Sequence, residues 1–333
     1  MKAALCFLIS GDQKLNKEEL WKNWIDHNSD IINVYFHYKN IDTIESTWIK
    51  KHCIPKKYIM RTDYLHVVPA YMSLMDFAIY DDTDNLWFCF LTESCVPIVN
   101  PKLFRHAFFT HYQQSIMRWG PAYWNVYYHT RANLRFFNKK YQLSNAPWFI
   151  LTKSHAQLCL QYPKIRRKDY LTICDGIIAN ESIFAMILSF ANKIDEVINA
   201  ESTVTDWERM TSPTSPYLFE EDSTQNIIFI HEYLQKNPHC LFLRKVSPTF
   251  PSKSIIKIMY KCDNLTKYEK IKQILFYYYT EYKAKCLYPR YLYFGSKTMK
   301  IFYTPLAIIN LSLFFFTVLA IFNISIYFHT QYM

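Results

Sequence analysis

Residues Leu86–Cys95 read LWFCFLTESC, an unbroken apolar run of strand length closed by a short polar turn. A strand with one wet face alternates apolar and polar residues. One that is apolar throughout belongs inside a sheet covered by helices on both sides, so this run predicts a layered α/β fold. Ligands in such folds bind beyond the carboxyl ends of the strands, which makes Thr92–Cys95 an expected pocket edge.

Working outward, Ala3–Ser10 and Ile31–Phe36 read as further short strands around a helical Asn16–Asp26, a β-α-β opening. Pro69–Tyr80 and Pro101–Gln114 carry helical patterns, Trp148–Leu151 reads as a strand and Ser154–Gln161 as the helix after it. Glu181–Asn192 (ESIFAMILSFAN) has helical apolar spacing, with Asn180 as its expected cap and Glu181 in the first turn, where the helix dipole favours a carboxylate. The polar stretch Thr211–Ser223 reads as a loop, Asn226–Gln235 as a helix and Leu241–Leu243 as a short strand ending at Arg244-Lys245.

Composition removes several functions. The 333 residues contain only four glycines, at 11, 120, 176 and 295, too far apart for a P-loop or a dinucleotide fingerprint. A bound nucleotide would need side-chain cations for its phosphates. Nine cysteines include no C-x-x-C pair, which argues against a zinc knuckle or a thioredoxin-type site and leaves the compartment open. The net charge of +10 is spread along the chain and densest over Lys253–Lys300, just before an apolar segment, so no nucleic-acid partner is expected.

That segment, Leu306–Phe328, contains no Asp, Glu, Lys or Arg. Its 23 residues would span roughly 34 Å as a helix, enough for a hydrocarbon core of about 30 Å. The chain therefore divides into a globular part (1–250), a basic, aromatic-rich extension (251–303) with a helix at Lys267–Lys285, and a transmembrane helix (304–328). A single-pass anchor in a bilayer follows. The charge rule puts Lys297 and Lys300 in the cytosol, whereas a lumenal body would expose Asn264-Leu265-Thr266 as a glycosylation acceptor.

Five segments in order resemble the core-2/I-branching family, glycosyltransferase family 14, which includes the peptide O-xylosyltransferases. They are Phe90–Ile98 (FLTESCVPI), Ala146–Thr152 (APWFILT), Asn180–Leu188 (NESIFAMIL), Thr205–Trp207 with Ser212-Pro213, and Phe242–Pro248 (FLRKVSP). The resemblance implies a GT-A-like (Rossmann-like) α/β fold with a mixed sheet and helices on both faces. It also implies inverting transfer from a UDP-sugar to a glycan or protein hydroxyl, with GlcNAc as first choice of sugar and xylose as second. No metal or other cofactor is expected, since basic residues stand in for the usual D-x-D pair; Asp82 and Asp84 precede their strand and read as loop residues.

On that resemblance Glu181 is the catalytic base and Arg244 and Lys245 bind the donor diphosphate. Trp207, Asp206, Glu93 and Trp148 are candidates for contacts with sugar or acceptor. Two departures bear on the donor: Lys39 follows the second strand where the family has an acidic residue, and Val68-Pro69-Ala70 replaces a Trp-Gly. The family's usual setting suggests an ER- or Golgi-type endomembrane. The other reading is a catalytically inactive relative that serves as a membrane-anchored binding or scaffold protein.

Overall fold

The computed structural model describes residues 1–9, 13–212 and 214–261. In chain order the first half comprises β1 (Lys2–Leu8), α1 (Glu18–Asp26), β2 (Ile32–His37), α2 (Thr47–Lys51), α3 (Val68–Asp81), β3 (Asn85–Thr92), β4 (Val96–Pro97), α4 (Pro101–His111), β5 (Trp119–Pro121) and β6 (Leu143–Asn145). The second half comprises β7 (Ile150–Thr152), α5 (Lys153–Ile165), α6 (Arg167–Asp175), α7 (Ile183–Phe190), β8 (Thr203–Val204), α8 (Thr224–Lys236), β9 (Phe242–Leu243) and α9 (Ser252–Lys261).

The main sheet has the order β2-β1-β3-β7, with β1 parallel to both β2 and β3, and β7 antiparallel to β3. Its side chains alternate between two dry faces. Ala4, Cys6, Phe88 and Phe90 join a cluster with Leu74 and Met75 of α3, Ala156 and Cys159 of α5 and Phe184 of α7. On the opposite face Phe7 meets Trp21 of α1 edge-on at 5.0 Å, Trp24 meets Phe104 of α4 at 4.8 Å, and Trp87 meets Phe108 at 5.7 Å. Burying each such ring contributes on the order of 2–3 kcal/mol, which is what makes an all-apolar central strand stable only between two helical layers. The mixed α/β architecture expected from Leu86–Leu91 is the one observed.

A second, smaller sheet, β4-β9-β8, sits at the end of the first. Val96 pairs with Leu243 across it, so the turn that closes β3 and the chain leaving β9 run side by side. The backbone of Val246 donates to the Ser94 carbonyl at 2.9 Å, and that of Phe219 donates to the Lys245 carbonyl at 2.8 Å. These contacts fix where Arg244 and Lys245 emerge.

At the amino end of β3, Asp82 pairs with Lys2 at 2.9 Å and Asp84 with the chain amino group at 3.5 Å, on the opposite edge from that turn. The helix expected over Glu181–Asn192 starts later. Ala179–Glu181 is a 3-10 turn after Ile178, whose φ is 51°, and Ser182 at φ −145° leaves helical geometry before α7 begins at Ile183. Asn180 does not cap the helix. Its backbone carbonyl accepts from Asn145 Nδ2 at 2.9 Å, while Asn145 Oδ1 accepts from Ala185 N at 3.2 Å, so Asn145 ties the turn to α7.

The helix read over Lys267–Lys285, the acceptor motif at 264–266 and the span at Leu306–Phe328 lie outside the described residues. Among the described residues no helix is long and apolar enough to cross a membrane.

Candidate active site

At the carboxyl ends of β1, β2 and β3 lies a cleft of about 420 Å³, lined by Thr92, Glu93, Trp148, Glu181, Trp207, Arg244 and Lys245 among others. Six of the seven residues singled out in the sequence thus face one space. The exception is Asp206.

Arg244 extends from β9 across the turn that closes β3. Its Nη1 donates to Thr92 Oγ1 and to Ser94 Oγ, and its guanidinium lies 4.2 Å from the centroid of the Trp148 ring. The buried Nε has no hydrogen-bond partner among the described residues. Lys245 donates to Ser215 Oγ at 3.3 Å. Burial lowers the pKa of Lys245, the neighbouring Arg244 lowers it further, and Glu93 works in the opposite direction. Two cations held side by side and partly out of water form a site short of negative charge.

Trp207 is 43% exposed and stacks on the nearly buried Trp148, with ring centroids 6.5 Å apart and planes at 20°. Asp206 explains why Trp207 stays there, and why Asp206 itself offers nothing to a sugar. Its carboxylate, 1% exposed, accepts from the backbone of Glu208 and Arg209 at 3.0 Å and from Arg209 Nε at 2.6 Å. Arg209 then donates to Asn226 on α8 and packs on Tyr217 at 4.1 Å. The acid staples the turn that presents Trp207. Asp206→Asn is expected to lower unfolding stability by about 2–3 kcal/mol, less than a fully buried pair because Arg209 keeps part of its side chain in water; a denaturant titration at neutral pH measures it.

Glu181 enters from the 3-10 turn. Its Oε2 accepts from Arg131 Nη1 at 3.1 Å, and the same Nη1 donates to Tyr123 Oη at 3.1 Å. The Arg131 guanidinium lies over Trp124 at 5.2 Å. The segment bearing Arg131 is clamped onto the Glu181 turn: Ala132 N donates to the Ile177 carbonyl at 3.0 Å, and at Gly176 a Cβ would come within 2.5 Å of Asn133 N. Burial raises the Glu181 pKa, and Arg131 opposes it.

For a group that must be ionised to act, a raised pKa moves the acid limb of activity upward. Removing the cation that opposes the shift moves it further in the same direction. Arg131→Gln is expected to displace the acid limb of kcat/KM to higher pH while leaving the alkaline plateau reachable, which a pH–rate profile checks.

Reading the sequence missed Arg131, which lies in an aperiodic loop; its only signal was the density of Tyr, Trp and Arg between residues 123 and 135. It also missed Asp63. Lys39 does line the cleft, and so does Asp63 from the loop before α3. Asp63 accepts from the backbone of Leu65 and His66, and these bonds with that to the His66 ring depress its pKa. His37, at the end of β2, accepts from Met60 N at 3.1 Å and is held neutral by burial, its pKa lowered to about 4.

The family model of the core-2/I-branching enzymes matches residues 5–228. The chain belongs to that family. Core-2/I-branching enzymes are glycosyltransferases, which implies a sugar donor and an acceptor as partners. The match takes in Glu93, Trp148, Glu181 and Trp207 and stops before β9, beyond which Arg244 and Lys245 enter the same cleft. No curated protein matches the chain in sequence.

Proposed function

We propose that this core-2/I-branching family member transfers a sugar from a UDP donor to a hydroxyl of a glycan or protein, with inversion and without a metal, on a GT-A-type fold. The observation that carries the reading is that one carboxylate with a raised pKa and a pair of adjoining cations line the same cleft. In the reaction the acceptor oxygen attacks the anomeric carbon and gives its proton to Glu181. The bond from that carbon to the β-phosphate oxygen breaks, its electron pair leaving with UDP. Arg244 and Lys245 meet the charge that develops there, as a divalent ion would elsewhere.

Trp207, backed by Trp148, offers an exposed aromatic face for a sugar ring. Glu93, on the same lining, is a candidate contact for sugar or acceptor. GlcNAc is the first choice of sugar and xylose the second. The body is held at an ER- or Golgi-type endomembrane by the apolar segment at 306–328, and the lipid bilayer is its standing partner.

The deciding experiment is a thermal-shift screen of UDP-sugars with EDTA present. A donor at a hundred times its Kd adds about 2.7 kcal/mol to the stability of the native state. A rise in Tm with UDP-GlcNAc, unchanged by EDTA, is the expected result. No shift with any UDP-sugar, or a shift that needs a divalent ion, defeats the reading. A shift followed by no transfer to any acceptor, in the wild type and in Glu181→Gln alike, identifies an inactive relative.

A further inference from the structure

A second surface of this chain carries positive charge that no described carboxylate meets in an ion pair. From Ser46 to Thr62 the sequence contains Lys50, Lys51, Lys56, Lys57 and Arg61 and no Asp or Glu. All five side chains are exposed, on the last turn of α2 and on the loop leading toward α3. None of the five makes an ion pair with a described residue. The carboxylates flanking the run are already engaged, Glu45 with Lys14 at 3.2 Å and Asp63 with His66 at 3.0 Å.

Apolar groups stand among these cations. Met60 is 47% exposed and Tyr80 is 73% exposed, and Lys57 Nζ lies 5.2 Å from the ring centroid of Tyr58 and 5.9 Å from that of Tyr80. The base of the patch is fixed. Ile54 N donates to the Phe36 carbonyl at 3.0 Å, Met60 N donates to His37 Nε2, and Tyr58 packs edge-on against Phe77 of α3 at 5.1 Å.

We infer that this face is a contact surface for an anionic bilayer, with the lysines on lipid headgroups and Met60 and Tyr80 at the headgroup level. Unpaired cations satisfy anionic headgroups cooperatively, and an exposed aromatic ring with a polar tip is at home at the same depth. A purely electrostatic partner would answer the charge and leave the apolar side chains in water. The inference holds whether or not the cleft transfers a sugar.

The test uses the full chain reconstituted in vesicles, either phosphatidylcholine alone or phosphatidylcholine with phosphatidylserine. The rate at which an amine-reactive ester labels each lysine is read by mass spectrometry. Lys50, Lys51, Lys56 and Lys57 are expected to label about five- to tenfold more slowly on the anionic vesicles, with the difference lost at high salt because screening shortens the range of the attraction. The exposed Lys102 and Lys236, which stand outside any basic cluster, should not change.

The variant K56Q/K57Q is expected to abolish most of the protection of Lys50 and Lys51. Equal rates on both vesicles overturn the inference. So does protection by a soluble polyphosphate with none from anionic lipid, which would assign the face to a polyanion in solution.

Discussion

Glu181→Gln is expected to lower kcat by about a thousandfold while leaving the affinity for UDP unchanged. Glutamine keeps the volume of the side chain and an oxygen that can accept from Arg131, so the clamp between the 3-10 turn and the Arg131 segment survives. What it loses is basicity. The proton of the acceptor hydroxyl then has no destination as the new bond forms, and the cost appears in the chemical step. Measuring kcat beside the UDP Kd by calorimetry separates the two quantities. A variant that retains more than about a tenth of the wild-type kcat removes Glu181 from the role of base.

The second large effect is expected at the cations. Arg244→Gln should reduce kcat/KM by about a hundred- to a thousandfold and weaken UDP binding as well, because a charge that meets the leaving diphosphate acts on both the ground state and the transition state. The substitution also removes the guanidinium from Trp148 and from Thr92 and Ser94, so part of the loss reflects a looser cleft floor. Lys245→Gln isolates the charge, since among the described residues the Lys245 side chain makes one hydrogen bond, to Ser215. It should cost less than Arg244→Gln, and the double variant should lose less than the two single effects combined, because both side chains address the same phosphates. UDP affinity unchanged in both single variants would place the diphosphate elsewhere.

Much of this site was legible before any fold was known. LWFCFL read as a strand covered on both faces, and ligands in such folds bind beyond the carboxyl ends of the strands, where Thr92 and Glu93 line the cleft. Trp148, Trp207, Arg244 and Lys245 were marked by the resemblance of their segments to the core-2/I-branching family, and the structure brings all four to the cleft. Glu181 was placed in the right neighbourhood and in the wrong local geometry. Apolar spacing locates α7, but the left-handed Ile178 and the extended Ser182 that set the carboxylate ahead of the helix are conformations of single residues that periodicity does not register.

The sequence by itself determined the two-faced sheet, the rule that any bound nucleotide would need side-chain cations where glycine is scarce, and the residue types available for the chemistry. Each follows from covalent chemistry or from a repeat of two or 3.6 residues. Only the tertiary structure decided how those groups are placed: Arg131 reaches Glu181 from 50 residues away, Asp206 is engaged by Arg209, and Asp63 lines the same cleft as Lys39. Such partnerships depend on which loops the packed layers bring together, and no local spacing carries that information.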